Sequence, residues 1–145
     1  MTTRLDIAPC SPADRGLLFE LAEVAFAGER GWDAPRVLDA LHHDRVFVAR
    51  DNRPMGYVAV RSESGTRVVV VDQLLVAPGH ERMGVGHLLL DYAEQYAIER
   101  RASVLRIAVE SDNSAARNFY RRAGFLPVER ELFELDLERH TPQLT

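Results

Sequence analysis

The sequence predicts a mixed α/β fold in a single domain that spans residues 1–145. Two observations lead to that class. Segments with strand composition alternate with segments that have the apolar period of helices. The segment at 67–76 contains the apolar runs Val68–Val71 and Leu74–Val76, and 104–109 is of a similar type, which is typical of strands buried on both faces. No internal repeat or low-complexity tract divides the chain.

Seven strands and four helices are predicted, in the order β-α-α-β-β-β-α-β-α-β-β. The strands are expected at residues 5–7, 46–49, 56–60, 67–76, 104–109, 125–128 and 132–137. The helices are expected from Ser11 to the glycines at 28 and 31, from 32 to about 42, from 84 to about 101 and from 114 to 123.

Local signals mark where several of these elements begin and end. Ser11 is placed as an N-cap, with Pro12 at the first helical position and Asp14 in the first turn. Gly124 is placed to end the fourth helix. The third helix has the strongest period, and its predicted apolar face consists of Val85, Leu88, Leu89, Tyr92, Ala93 and Tyr96.

Composition excludes several functions. All 18 basic residues are arginine, and the lack of lysine excludes a Walker A phosphate loop, a pyridoxal Schiff base and a lysine nucleophile. The net charge of −4 offers no broad basic surface for nucleic acid. A single cysteine, Cys10, and the lack of any apolar run of about 18 residues lead us to expect a cytoplasmic protein that engages no membrane.

A glycine-containing turn joins the strand at 67–76 to the third helix. Pro78-Gly79 follows the strand, and the helix opens at Gly84-Val85-Gly86. The first amides of a helix lack internal partners at the positive end of its dipole, and glycine lets a phosphate approach the backbone. A dinucleotide fingerprint would need a third glycine where this chain has Leu89. The turn alone therefore predicts an anion site that suits many ligands.

With the residues on both sides of this turn, the chain resembles the GNAT acetyltransferase superfamily. That family's pyrophosphate motif, Gln/Arg-x-x-Gly-x-Gly/Ala after a strand ending Val-x-Pro, corresponds here to Val76–Leu89. A second family motif, Asn-x-x-Ala-x-x-(apolar)-Tyr-x-x-x-Gly-Phe, matches in full at Asn113–Phe125. The resemblance covers residues from about 72 to 125. It implies a central mixed, mostly antiparallel sheet of six to seven strands flanked by about four helices.

The resemblance also implies that the chain binds acetyl-CoA as acyl donor and needs no metal. The implied coenzyme contacts are Leu74, Leu75, Val76, Glu81, Arg82, Met83, Gly84, Val85, Gly86, His87, Asn113, Ala116, Phe119, Tyr120 and Arg122. One of them departs from the family pattern, because Glu81 stands where Gln or Arg is usual. Arg82 is then a substitute cation beside the pyrophosphate.

For catalysis, the resemblance implies that Tyr120 protonates the departing thiolate. From the residues alone, Tyr120 shares a helix face with Ala116 and Phe119, so a core tyrosine with a satisfied hydroxyl remains an alternative. Asp72 interrupts an apolar strand and aligns with an acidic position that some members use as the base, directly or through water. An aspartate hydrogen-bonded at a strand distortion is the alternative there, and Glu110 is the second candidate base.

Two classes of function remain open at this level. The leading hypothesis is transfer of an acetyl group from acetyl-CoA to a primary amine of a small molecule or peptide. The competing hypothesis is a non-catalytic, regulatory acyl-CoA-binding module. A tRNA-directed acetylating toxin fits an acidic chain poorly. The branch that acetylates ribosomal protein N-termini commonly has a glutamate where this chain has Ala108, which counts against that branch.

The remaining expectations concern metals, the acceptor and assembly. His80 and His87 flank the glycine turn, and His42-His43 end a helix, but none has a histidine or cysteine partner at i+4, so we expect no metal site. The resemblance leaves a homodimer open, because dimers are common in the family. It also assigns three residues to the region that lines the acceptor pocket, namely Glu29, Arg30 and Trp32.

Overall fold

The fold is built on a sheet with both parallel and antiparallel strand pairs. A computed structural model describes residues 5–26, 33–79 and 84–140, and for 139 and 140 it describes the backbone alone. Within these ranges seven strands form one sheet in the order β1-β2-β3-β4-β5-β7-β6. They are β1 (Asp6–Pro9), β2 (Arg45–Arg50), β3 (Pro54–Ser62), β4 (Val68–Val76), β5 (Val104–Ala108), β6 (Leu126–Glu129) and β7 (Leu132–Asp136). The β4–β5 pair is parallel, whereas β1–β2, β2–β3, β5–β7 and β6–β7 are antiparallel. The predicted mixed sheet is confirmed.

The four predicted helices are present, and a short one follows the last strand. They are α1 (Arg15–Phe26), α2 (Ala34–His43), α3 (Val85–Glu99), α4 (Ser114–Arg122) and α5 (Leu137–His140). The prediction that the last strand includes Leu137 is wrong. The strand stops at Asp136, because its carboxylate accepts a hydrogen bond from the Glu138 amide at 3.1 Å and begins a helical turn instead.

The chain divides into two compact units, one of residues 1–60 and 73–93 and the other of residues 61–72 and 94–145. In the first unit, α1 and α2 pack on the apolar side chains of β2, β3 and β4. The buried residues of this core are Leu18, Ala22, Val37, Ala40, Leu41, Val46, Val48, Tyr57, Ala59 and Leu75. The prediction that residues 1–145 form a single domain stays a prediction.

The start of α1 is fixed by a buried carboxylate in the first unit. A 3₁₀ turn, Pro12–Asp14, precedes the helix, and Asp14 is only 8% exposed. Its Oδ2 accepts hydrogen bonds from the Ser11 amide at 2.9 Å and from Arg50 Nη2 at 2.8 Å. The helix start predicted at Ser11 is therefore confirmed, and Arg50 of β2 holds it against the sheet.

The apolar face predicted for α3 is only partly buried. The buried hydrophobic positions are Val85, Leu89, Leu90, Ala93 and Ala97. Leu88 and Tyr92, predicted on the same face, are 41% and 42% exposed. All the buried residues except Leu90 form one i, i+4 row, and the two exposed residues lie on another row, which turns toward solvent. The Tyr92 ring still contacts Phe47, with their centroids 5.8 Å apart.

In the second unit, the parallel ladder between β4 and β5 is short. It runs from the Val68–Val104 pair to the Val71–Ile107 pair, while β4 itself continues to Val76. Residues 72–76 of β4 thus lie beyond the end of that ladder. Among the described residues, no helix is both long enough and apolar enough to cross a membrane.

Candidate active site

The turn between β4 and α3 has the backbone geometry that its glycines predict. Gly79 and Gly84 have φ values of +91° and +76°, in the left-handed region that other residues rarely adopt. The helical ladder begins with the Leu88 amide, which donates to the Gly84 carbonyl at 3.1 Å. The amides of Val85 and Gly86 precede it and have no acceptor inside the helix. This end of α3 can therefore receive an anion.

Part of the predicted pyrophosphate motif lies outside the described residues. His80, Glu81, Arg82 and Met83 belong to that part, so the exchange of roles between Glu81 and Arg82 stays a prediction. The exposed side chain of His87 lies in the first turn of α3.

The end of β4 presents Leu74, Leu75 and Val76, which the resemblance assigns to the coenzyme. Leu75 is buried in the core of the first unit, whereas Leu74 and Val76 are partly exposed. Because neighbouring strand residues point to opposite faces, Leu74 and Val76 face away from that core. The Ala77 amide donates to the Met55 carbonyl at 2.7 Å and ties this end of β4 to β3.

A glycine of β3 that sequence analysis did not single out supports the same segment. A Cβ atom on Gly56 would lie 2.5 Å from the Leu75 carbonyl oxygen and 3.3 Å from the Val76 Cα atom. Only glycine allows this approach of the two backbones. A glycine inside a strand is a known sign of such close contact, and it could have identified the position.

Tyr120 lies on α4 with its ring enclosed by other aromatic rings. It is 6% exposed, and its centroid lies 5.2 Å from that of Phe119 and 5.5 Å from that of Phe125. Burial raises the pKa of Tyr120 far above that of a solvent-exposed tyrosine. No residue in the described part of the second unit forms a hydrogen bond with its hydroxyl. Within the described ranges, the side chain is thus a protonated donor whose proton no group accepts.

The other predicted residues of α4 surround this tyrosine in sequence. Asn113 is the N-cap, and its Oδ1 accepts a hydrogen bond from the Ala116 amide at 3.1 Å. Ala116 and Phe119 are partly buried on the Tyr120 face of the helix, and Arg122 is exposed. Asn113 therefore has the structural role that its position predicts, and its contact with a coenzyme stays a prediction.

The loop before α4 is held by a residue that sequence analysis missed. Glu131, between β6 and β7, accepts a hydrogen bond from the Ser111 amide at 2.7 Å through Oε2. Its backbone carbonyl accepts another from the Val109 amide at 2.9 Å. The Ser111 amide lowers the pKa of the Glu131 carboxyl group. These two bonds set the path of the chain toward the Asn113 cap, and no local sequence signal links residues 20 positions apart.

Asp72, the predicted base, is paired with an arginine of the neighbouring strand. Arg61 Nε lies 3.2 Å from Oδ1 and 3.0 Å from Oδ2 of Asp72. The Asp72 side chain is 16% exposed and that of Arg61 is 46% exposed. The hydrogen-bonded alternative raised for Asp72 is thus the arrangement found, although the partner is a cation. Glu110 is exposed just after β5.

Comparison with known families adds to this geometry. The model of the acetyltransferase (GNAT) family matches residues 17–125. The chain belongs to the GNAT family of acetyltransferases.

One relative of this GNAT chain is streptothricin acetyltransferase from Streptomyces lavendulae. The two are 34% identical over 98 residues, which make up 68% of this chain and 52% of that protein. The GNAT chain therefore spans about half the length of that relative.

Solved structures show the same fold. A GNAT acetyltransferase from Staphylococcus aureus Mu50 superposes with a TM-score of 0.80 at 15% identity, covering 92% of this chain and 99% of that one. YncA from Salmonella typhimurium, solved with its cofactor acetyl-CoA, superposes with a TM-score of 0.74 at 22% identity, covering 97% and 98%. The fold class and the family predicted from the two motifs are confirmed.

Two further predictions concern the acceptor pocket and a metal site. Glu29, Arg30 and Trp32, assigned to the acceptor pocket, lie outside the described residues. In the described ranges no three His, Cys, Asp or Glu side chains are grouped to hold a metal ion. His42 Nδ1 bonds to the Leu38 carbonyl at 2.8 Å, and His43 lies 3.6 Å from Asp39.

Proposed function

We propose that this chain transfers the acetyl group of acetyl-CoA to a primary amine of a small molecule or peptide, with Tyr120 as the general acid. The observation that carries the proposal is the state of the Tyr120 hydroxyl. It keeps its proton because burial raises its pKa, and no described residue accepts that proton in a hydrogen bond. For the described residues, this combination supports the general-acid role of Tyr120 over that of a core tyrosine with a satisfied hydroxyl.

The chemistry assigns a distinct task to each residue. The acceptor nitrogen attacks the thioester carbonyl carbon, the carbon–sulfur bond breaks, and the thiolate sulfur takes the proton of Tyr120. The amine loses one proton to a base, and the phenolate of Tyr120 is reprotonated from solvent before the next turnover. The products are an acetylamide and a free thiol.

The end of α3 and the end of β4 are the groups that we assign to acetyl-CoA. The amides of Val85 and Gly86 are oriented to bind its pyrophosphate, together with the residues from Glu81 to Gly84 and His87. Leu74, Leu75 and Val76 provide backbone groups for the pantetheine and the thioester. From α4 and its cap, Asn113, Ala116, Phe119 and Arg122 complete the assigned set. The acetyl-CoA bound to YncA supports this choice of donor.

Asp72 remains the base that we propose, acting directly or through water, with Glu110 as the alternative. The Arg61 guanidinium contacts the Asp72 side chain and fixes its orientation. Substituting Asp72 by Asn and Glu110 by Gln in separate variants distinguishes the two, because only loss of the true base shifts the pH at which kcat/KM rises to half its maximum.

We propose that the acceptor is a primary amine of a small molecule or peptide. The name of the Streptomyces lavendulae relative favours a small molecule over a protein. The position occupied by Ala108, where a glutamate is common in the ribosomal branch, argues in the same direction. The cytoplasmic location and the homodimer stay predictions.

Thiol release from acetyl-CoA tests the proposal directly. The full chain is incubated with acetyl-CoA and a panel of acceptors that includes streptothricin, polyamines, amino acid amides and short peptides. We expect at least one amine to release thiol faster than the rate without acceptor and to yield its acetylamide by mass spectrometry. If acetyl-CoA raises Tm but no acceptor releases thiol, the non-catalytic binding module replaces the proposal.

A further inference from the structure

A buried tyrosine and a strand glutamine form a pair in the first unit that the proposed reaction does not use. The Tyr57 hydroxyl on β3 donates a hydrogen bond to Oε1 of Gln73 on β4, at 2.7 Å. Tyr57 is 0% exposed in the core beneath α1 and α2. Gln73 is partly exposed and directly precedes Leu74. The buried Tyr57 hydroxyl therefore holds Gln73, which lies directly before the segment that we assign to the thioester.

The hydrogen bond fixes which atom of the Gln73 amide is left for another partner. Burial raises the pKa of Tyr57, so its hydroxyl keeps its proton and acts as donor. The carbonyl oxygen of Gln73 is then committed to Tyr57, and the amide nitrogen faces away from it. No group in the described ranges accepts from that nitrogen. Gln73 thus presents two N–H donors that no protein group uses there.

The hydrogen bond between Tyr57 and Gln73 also indicates the face of the sheet on which the Gln73 side chain lies. Tyr57 and Leu75 both belong to the core under α1 and α2. Gly56 points to the opposite face, where a Cβ atom on it would lie 3.3 Å from Leu89 of α3. Gln73 shares the face of Leu75 because the two are alternate residues of β4. The Gln73 side chain therefore lies on the face opposite α3, and its partial exposure leaves it accessible to a molecule on that face.

We infer that Gln73 recognises the acceptor by donating a hydrogen bond to a carbonyl oxygen close to the reacting amine, and that Tyr57 is the positioning residue that orients it. The inference rests on the proposed function, which assigns the coenzyme to the α3 end and so assigns the opposite face to the acceptor. An uncharged N–H donor suits a carbonyl oxygen and offers nothing to an alkyl chain. The preferred acceptors are amines with a neighbouring carbonyl group, such as amino acid amides and peptide N-termini.

A comparison of two acceptors tests the inference. One is an amino acid amide, and the other is the alkylamine of the same length without the carbonyl oxygen. For the wild-type chain, kcat/KM should favour the amide. Gln73→Leu should reduce this preference by about 3- to 10-fold, the value of one neutral hydrogen bond, through a higher KM for the amide. Because the preference is compared between two proteins, the different basicity of the two amines cancels.

Two further variants separate recognition from folding. Gln73→Glu keeps an oxygen for Tyr57 but replaces the two N–H donors by an acceptor, so it should lose the preference as Gln73→Leu does. Tyr57→Phe leaves the glutamine in place without its orienting bond, and should lose part of the preference with kcat at saturating amide unchanged. In all three variants the KM for acetyl-CoA should stay within about twofold of wild type, a shift smaller than one hydrogen bond contributes.

The outcomes distinguish the two proposals. If the wild type acetylates amines but Gln73→Leu keeps the full preference for the amide, or if no preference exists, the role of Gln73 is refuted and the transferase proposal stands. If the wild type acetylates no amine in the panel, the transferase proposal is refuted and the role of Gln73 is refuted with it.

Discussion

Gly56 and Leu75 lie in such close contact that the Leu75 carbonyl oxygen occupies the space that a side chain on residue 56 would need. A Cβ atom there would be 2.5 Å from that oxygen. Gly56→Ala should therefore move β3 and the end of β4 apart. We expect it to lower the free energy of unfolding by about 1–3 kcal/mol, as overpacking usually does, and to weaken acetyl-CoA binding. Chemical denaturation and calorimetric titration measure the two effects.

The control for this change is the same substitution at a glycine in open space. A Cβ atom on Gly16, in the first turn of α1, would have no neighbour within 4 Å. Gly16→Ala should stabilise the protein by about 0.5–1 kcal/mol, because alanine loses less backbone entropy in a helix. Equal effects at both positions would contradict the close contact at Gly56.

Gly84 offers a second comparison, because its φ value equals that of a glycine in a distant turn. Gly84 and Gly65 both have φ of +76°, and in the described part of the chain a Cβ atom on either would have no neighbour within 4 Å. Alanine should therefore cost about 1–2 kcal/mol at either position through backbone strain alone. Only Gly84→Ala should also raise the Kd for acetyl-CoA, since Gly84 sets the direction of the first amides of α3. Matching Kd values for the two variants would remove these amides from the coenzyme site.

The elements of the fold could be predicted because their signals are local. Ser11, Pro12 and Asp14 mark a helix start in consecutive positions, and the apolar run from Val68 to Val71 marks a central strand. The motif glycines could be identified in the same way, since each backbone requirement follows from a few neighbours. The extent of the last strand was wrong because the Asp136 carboxylate captures the Glu138 amide, a detail that apolar patterning does not show.

The contacts that shape the candidate site could not be predicted because they depend on strand register. The pairs Arg61–Asp72 and Tyr57–Gln73 join β3 to β4, 11 and 16 residues apart in sequence. A shift of one residue would turn either side chain to the opposite face of the sheet. The sequence therefore left open whether Asp72 is a base or a hydrogen-bonded aspartate, it did not identify Arg61 as the partner, and it offered no reason to select Gln73.

Asp14 should make stability depend on pH in the acid range. The hydrogen bond from Arg50, followed by the bond from the Ser11 amide, lowers the pKa of the folded Asp14 carboxyl group. The unfolded chain, with a pKa of about 4, then binds the proton more readily than the folded chain. The stabilisation is complete above that value and is lost as pH falls through the folded pKa. At pH 7, Asp14→Asn should cost about 1–3 kcal/mol.

Urea denaturation of both proteins at neutral and acid pH measures this dependence. The difference between wild type and Asp14→Asn isolates Asp14 from the other carboxylates, and it should shrink as pH falls. Asp39→Asn is the matched control, because Asp39 is 74% exposed and lies 3.6 Å from His43. It should change stability by less than about 0.5 kcal/mol. A difference for Asp14→Asn that stays constant with pH would mean that Arg50 does not hold the carboxylate in solution.

Tyr120→Phe tests the general acid, because it removes one oxygen and keeps the ring between Phe119 and Phe125. It should lower kcat by about 10²–10⁴-fold, the usual contribution of a positioned acid, and leave the Kd for acetyl-CoA nearly unchanged. Stability should shift by less than about 0.5 kcal/mol, because no described residue bonds to the missing hydroxyl. Stopped-flow detection of the released thiol and calorimetric titration of acetyl-CoA give the rate and the affinity.

Tyr57→Phe provides the contrast, because its hydroxyl does have a partner. Loss of the bond to Gln73 should cost about 0.5–1.5 kcal/mol of stability while kcat at saturating acceptor is retained.

The raised pKa of Tyr120 has a consequence for the pH dependence of the wild type. An exposed phenol ionises at about pH 10, so below that pH kcat should not fall through loss of the Tyr120 proton. A kcat of Tyr120→Phe equal to that of the wild type would remove Tyr120 from the mechanism.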